Sequence, residues 1–101
     1  MAIPFRLELE QDRIIRGDFF PASQSAKALL IISHGFKGFK DWGMFPYVAN
    51  FLAKELHVVT FNFSHNGVGE DLLNFTELEK FAQNSFSKEL EDLGALIQFL
   101  R

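Results

Sequence analysis

Residues 27–33, Lys-Ala-Leu-Leu-Ile-Ile-Ser, hold an apolar run without polar alternation. A strand of that kind calls for cover on both faces, as in the middle of a parallel sheet. Residues 57–63, His-Val-Val-Thr-Phe-Asn-Phe, read as a second strand, β-branched and aromatic. Between them, 44–56 repeats apolar residues at spacings of three and four. Phe45, Val48, Phe51, Leu52 and Leu56 make its predicted buried face, and Pro46 suits the first helical turn. Strand, helix, strand over 27–63 is a βαβ unit, which lays its two strands parallel with a right-handed crossover. The fold class is therefore α/β.

The flanks extend this unit. Residues 5–10 alternate apolar and charged, as a half-buried strand does, and 13–20 form another strand. Gln11 and Asp12 are left for a two-residue hairpin turn. Beyond the polar loop 64–71, a short helical stretch is expected over 71–82 and a clearer helix over 87–101. The latter carries Leu90, Leu93, Ile97 and Leu100 on one face, with Ser87 as N-cap. Gly94 weakens that helix unless it allows close packing. With 101 residues and no linker-like or repeated segment, the chain reads as a single domain, 1–101.

Composition narrows the function classes. The formal charge is −3, from 10 basic and 13 acidic residues, so no basic field is present to attract a nucleic-acid backbone. The absence of cysteine removes disulfides, thiolate zinc sites and a cysteine nucleophile. No apolar run approaches the roughly 18 residues of a membrane span. Charges at Arg6 and Glu8 interrupt any signal-peptide core, which gives the expectation of a cytoplasmic protein with no membrane partner. Thirteen residues are Phe, so the core should be built largely from phenylalanine.

A nucleophile elbow needs G-x-S-x-G, because its serine sits in a strained strand-to-helix turn. None of Ser23, Ser25, Ser33, Ser64, Ser85 or Ser87 has that context. Ser33 comes nearest, with Gly35 after it but Ile31 before it, and Ser33 and His34 point to opposite faces of a strand. The stretch 35-GFKGFKDWG-43 does not fit a Walker loop, and 67-GVGEDL-72 lacks the third glycine of a dinucleotide loop, which leaves glycines in a tight surface loop. His34 and His65 could approach each other beside Asp41 or Asp71, but no metal-ligand spacing occurs, and no metal or cofactor is expected. Glu89, Glu91 and Asp92 read as a solvated helix face with first-turn charges. Lys37 and Lys40 read as exposed loop cations. What remains is His34-Gly35-Phe36. Glycine permits a sharp change of direction at the end of a buried strand, and the next backbone N–H can point over the C-terminal edge of the sheet. Such a donor suits an oxyanion hole.

At this point 29-LLIISHGFKGFKDW-42, 58-VVTFNFSHNGVGE-70 and 85-SFSKELEDLGALIQFLR-101 together resemble the N-terminal part of the α/β-hydrolase superfamily. The likeness is to its dienelactone-hydrolase, feruloyl-esterase and serine-peptidase-like branch. The resemblance implies a partial, mostly parallel sheet of the first four strands, with flanking helices, in a three-layer sandwich truncated before the nucleophile elbow. The strand at 57–63 would lie between those at 13–20 and 27–33. The backbone N–H of Phe36 would be one oxyanion-hole donor, supported by His34, Gly35 and Gly38, and Phe39 and Trp42 could form a pocket lip. The family's serine, acid and histidine all fall later in the chain. The implied role is an oxyanion-loop segment of a serine hydrolase acting on carboxylic esters, or on amides or peptides, inactive by itself. Its exposed third-strand edge invites self-association. A small α/β ligand-binding module, using loops 34–43 and 64–71, and a half-protein pairing with a chain that carries the nucleophile are the alternatives.

Overall fold

A computed structural model describes residues 2–10, 13–26, 28–35 and 38–100. The elements in chain order are β1 (Ile3–Leu9), β2 (Arg13–Phe20), β3 (Leu29–Ser33), α1 (Phe45–Leu52), β4 (His57–Asn62), α2 (Leu78–Ala82) and α3 (Phe86–Leu100). The expected turn at Gln11 and Asp12, together with Lys27, Phe36, Lys37 and Arg101, lies outside the described residues.

The strands form one sheet in the order β1-β2-β4-β3. This α/β sheet is mixed, which corrects the mostly parallel sheet expected from the resemblance. Only β3 and β4 pair in parallel, while β1–β2 and β2–β4 are antiparallel. The connections explain the difference. Parallel neighbours need a crossover of about a dozen or more residues, usually a helix. Only 34–56 supplies one. The short links after β1 and β2 each reverse the chain.

Val58 and Val59 are adjacent and fully buried, and they face opposite sides of the sheet. On one side, Val58 packs with Phe20, Ala49 and Ala53, supported by Ile32, Leu52 and Leu56. On the other, Val59, Phe61 and Phe63 pack with Ile15 and Leu96, and with Leu93 and Leu100 around them. Helix α1 therefore covers one face and α3 the other.

Both helices bury part of the face their spacing suggests, Leu52 in α1 with Leu56 just after it and Leu93 and Leu100 in α3, and are rotated from the rest of it. In α1 the buried residue is Ala49, whose small side chain lets the helix lie close to the sheet. Phe51, expected inside, points outward with Met44 and Tyr47. In α3 the inward residues are Leu93, Leu96 and Leu100, while Leu90 and Ile97 are exposed. The cap is Ser85, not Ser87: the Lys88 N–H donates to Ser85 Oγ at 3.2 Å. Helix α2 is shorter than expected, and 71–77 is non-helical.

The two sheet edges differ. On β1, Pro4, Arg6 and Glu8 are exposed and guard the edge against further pairing. Edge strand β3 has neither charge nor proline, and its residues are only half-buried, with Leu29 41% exposed. The double-sided burial expected of 27–33 fails because β4 is its only neighbour among the described strands.

Two glycines of similar appearance should respond oppositely to alanine. A Cβ at Gly17 would lie 2.7 Å from the Thr60 carbonyl oxygen and inside the Phe5 ring. Gly17→Ala should lower stability by about 1–3 kcal/mol, as overpacking does. At Gly94 a Cβ meets nothing within 4 Å. Gly94→Ala should raise stability by about 0.5–1 kcal/mol, the helical cost of glycine. Urea unfolding midpoints compare the two directly.

Candidate functional site

Parallel strands β3 and β4 end side by side, and the loops leaving them, 34–43 and 63–70, meet over that edge of the sheet. Ligands of open α/β sheets bind at this end.

His34 ties the two loops together. Its Nε2 accepts the N–H of Phe63 at 3.2 Å. The ring proton therefore sits on Nδ1, which donates to the Gly35 carbonyl at 2.9 Å. The ring also meets Phe63 edge-on, with centroids 5.0 Å apart. Burial pushes the pKa of His34 down, more than the Gly35 hydrogen bond and the charge of Glu89 raise it. His34 is thus a neutral clamp, with both ring nitrogens engaged by backbone.

The turn after it is closed by Gly38, whose N–H donates to the Gly35 carbonyl at 2.9 Å. Asn66 Nδ2 donates to the Gly38 carbonyl at 3.3 Å. A Cβ on Gly38 would stand 2.9 Å from the Gly35 oxygen, so the turn is too tight for a side chain there. His34, Gly35 and Gly38 share one turn. Phe36, whose N–H is the expected oxyanion donor, lies outside the described residues. The two lip residues separate. Phe39 is buried and packs edge-on against Phe75 at 5.6 Å, whereas Trp42 is 60% exposed and leans on Phe45.

Lys40 corrects the expectation of an exposed cation. It is 4% exposed, and its Nζ sits 2.6 Å from Asp18 and 2.7 Å from Asp41. Its backbone N–H donates to Asn62 Oδ1 at 2.7 Å. The loop is thereby fastened to β2 and to the end of β4. Lys37 lies outside the described residues.

Asp92 corrects the solvated helix face. It is 1% exposed and accepts from Arg13 Nη2 at 2.6 Å and from the Ser64 N–H at 2.7 Å. This anchor turns α3 so that Leu96, four residues on, faces the core. Glu91 remains exposed, near Arg13 at 3.7 Å.

Residues 61–69 are buried throughout, so the glycines of 67-GVG-69 are not in a surface loop as expected. Gly67 takes φ +95°, and Phe75 and Phe81 crowd the place of its absent Cβ. The Glu77 N–H donates to the Gly67 carbonyl at 2.9 Å, and Val68 bridges to Phe75. The segment 70–83 thus straps the loop down. Within it, Ser64 Oγ lies 2.9 Å from His65 Nδ1. These neighbours converge because they sit in a turn and not in a strand, a contact the alternation argument could not reveal. Both are buried, at 3% and 6% exposure, which closes the hydroxyl to a substrate. Burial, and secondarily the charge of Lys88, push the pKa of His65 down. No group of three or more His, Asp or Glu among the described residues could hold a metal ion. Among them, no helix is long and apolar enough to cross a membrane.

Two depressed histidines set a pH dependence. A base that resists protonation when folded binds fewer protons than it does unfolded. Its contribution is complete above the ordinary value of 6.5 and is lost as pH falls below it, toward the folded value. Urea midpoints should fall between about pH 7 and pH 5, and exchanging both histidines for glutamine should flatten that slope. An unchanged slope in the double variant would assign the loss to other groups.

No family model and no curated protein matches the chain. Among solved structures, the DcsB complex with its substrate analogue matches with a TM-score of 0.49 and 17% identity. The match covers 61% of this chain and 21% of that one, so this chain spans about a fifth of its length. A likeness of that size fixes neither the fold family nor the chemistry.

Proposed function

We propose that the chain is the N-terminal segment of an α/β-hydrolase-type serine hydrolase acting on carboxylic esters, with amides and peptides as the lesser alternative. Its part in the reaction is the oxyanion loop after β3, with the Phe36 N–H as donor and His34, Gly35 and Gly38 as its frame. Developing negative charge on a tetrahedral intermediate is stabilised by donors that are already aimed before reaction. The observation that carries this reading is the His34 clamp. A buried, neutral imidazole spends both nitrogens on backbone, at 3.2 Å and 2.9 Å, to hold a glycine turn at the C-terminal end of two parallel strands. A side chain used in this way serves backbone geometry, and a backbone donor is what an oxyanion hole needs.

The segment supplies no nucleophile in this reading. Ser64, the hydroxyl beside a histidine, is closed off by burial. The half-guarded sheet fits the same reading, since β3 offers its free edge to the next strand of a larger sheet.

The test is to express residues 1–101 alone and together with the reading frame that follows, with a fluorophosphonate probe and p-nitrophenyl esters. The short chain should stay unlabelled and inactive. The longer one should hydrolyse esters and take the label on a serine in G-x-S-x-G. Stoichiometric labelling of the short chain, or a stop codon directly after Arg101 with a soluble monomeric product, would contradict the proposal.

A further inference from the structure

The β1–β2 hairpin sets Arg6 directly opposite Arg16. Side chains of a directly opposed antiparallel pair share one face at close range, and like charges there repel. Arg6 has a partial counter-charge in Glu8, 3.3 Å away on an open surface. Arg16, half-buried, has no ion-pair partner among the described residues.

Both arginines line a cavity of about 370 Å³, within the range of about 300–1,000 Å³ usual for small-molecule sites. Pro4 and Leu72 give it apolar wall. The other charged groups do not balance the arginines. Asp18, which lines the cavity, is committed to Lys40, whose Nζ it holds at 2.6 Å, and Asp41 holds the same ammonium. Glu70, exposed, is the remaining acid in the lining. Arg6 shares its charge with the exposed Glu8, and Arg16, beside it in the lining, is left without an ion-pair partner among the described residues.

We propose that this cavity binds a small organic anion. A terminal carboxylate or phosphate sits between Arg6 and Arg16, and a short apolar body lies against Pro4 and Leu72. Guanidinium forks match planar carboxylates and phosphates with paired N–H donors. The site stands on the charge placement of the hairpin and does not depend on the hydrolase reading.

Nitrogen-15 NMR titration of the chain with benzoate, phenyl phosphate and benzyl alcohol tests it. Both anions, or one of them, should shift Arg6, Arg16 and Leu72 in a saturable manner that weakens with salt. Benzoate alone would assign a carboxylate ligand, and phenyl phosphate alone a phosphate ester. Benzyl alcohol, which keeps the ring and lacks the charge, should leave them unmoved. Arg16→Gln should weaken binding roughly tenfold or more, as loss of a hydrogen bond to a charged group does. Arg16→Lys should recover part of the loss, and Arg6→Gln with Arg16→Gln should abolish binding. Both arginines lie on the hairpin surface, and circular dichroism checks that the variants fold. Failure of both anions to bind, equal binding of benzyl alcohol, or unchanged affinity in the double variant would overturn the proposal.

Discussion

Asp92→Ala should cost about 3–5 kcal/mol, the range for removing one partner of a buried ion pair. The carboxylate is 1% exposed and serves two donors at once, Arg13 at 2.6 Å and the Ser64 N–H at 2.7 Å. Its loss leaves the Arg13 side chain, only 15% exposed, facing Glu91 at 3.7 Å and no closer acid among the described residues. It also strands a buried backbone donor at the start of the loop after β4. Asp92→Asn should cost less, because an amide oxygen still accepts from Ser64. Urea unfolding of the two variants measures the difference. If Asp92→Ala fell within about 0.5 kcal/mol of the parent, as surface exchanges do, the anchor assigned to α3 would be wrong.

Lys40→Ala is the second large effect, at about 3 kcal/mol, the low end for a broken buried pair because its carboxylates are partly wet. Asp18 and Asp41 are 15% and 24% exposed, and the same ammonium holds both. Without it, two carboxylates face each other across the space left by a buried side chain. The damage should concentrate in the loop 34–43, which Lys40 also fastens through its N–H to Asn62. Hydrogen exchange at Gly38 and Phe39 should speed up more than at Val58 and Val59 in the core of β4. Lys40→Met keeps the packing of the stem and separates the charge from the volume. Uniform acceleration across the sheet would contradict a local fastening role.

Both effects show where the sequence stops being readable. The order of strands and helices follows from local periodicity and appears in the structure, with α2 cut to Leu78–Ala82 and α1 to Phe45–Leu52. Burial of a charged residue depends on partners far away in the chain. Asp92 meets Arg13 across 79 positions, and Lys40 meets Asp18 across 22, so neither environment has a local signal. A charge in a helix or a glycine loop reads as solvated until its partner is placed. The facing of α3 is ambiguous for a related reason. Leu93 and Leu100 can be grouped with Leu90 and Ile97 on one side or with Leu96 on the other, and the side that also buries Asp92 is the one turned inward. The His34 turn was more accessible, because glycine spacing after an unalternated strand is itself a geometric statement. The clamp on Phe63 was not, since it crosses between two loops.

The central claim is that a backbone hydrogen on Phe36 does the electrostatic work at this loop. Replacing Phe36 by proline removes that hydrogen, along with the ring and the freedom of φ at 36 and of the preceding Gly35, while Phe36→Leu keeps the hydrogen and controls for the lost ring. The measurement is kcat for ester hydrolysis in the polypeptide that carries the serine, with NMR of the His34 ring as a check that the loop is intact. Phe36→Pro should lower kcat by about 10²–10³, the usual effect of losing one oxyanion donor, with Phe36→Leu close to the parent. Full turnover in Phe36→Pro with an intact loop would contradict the account.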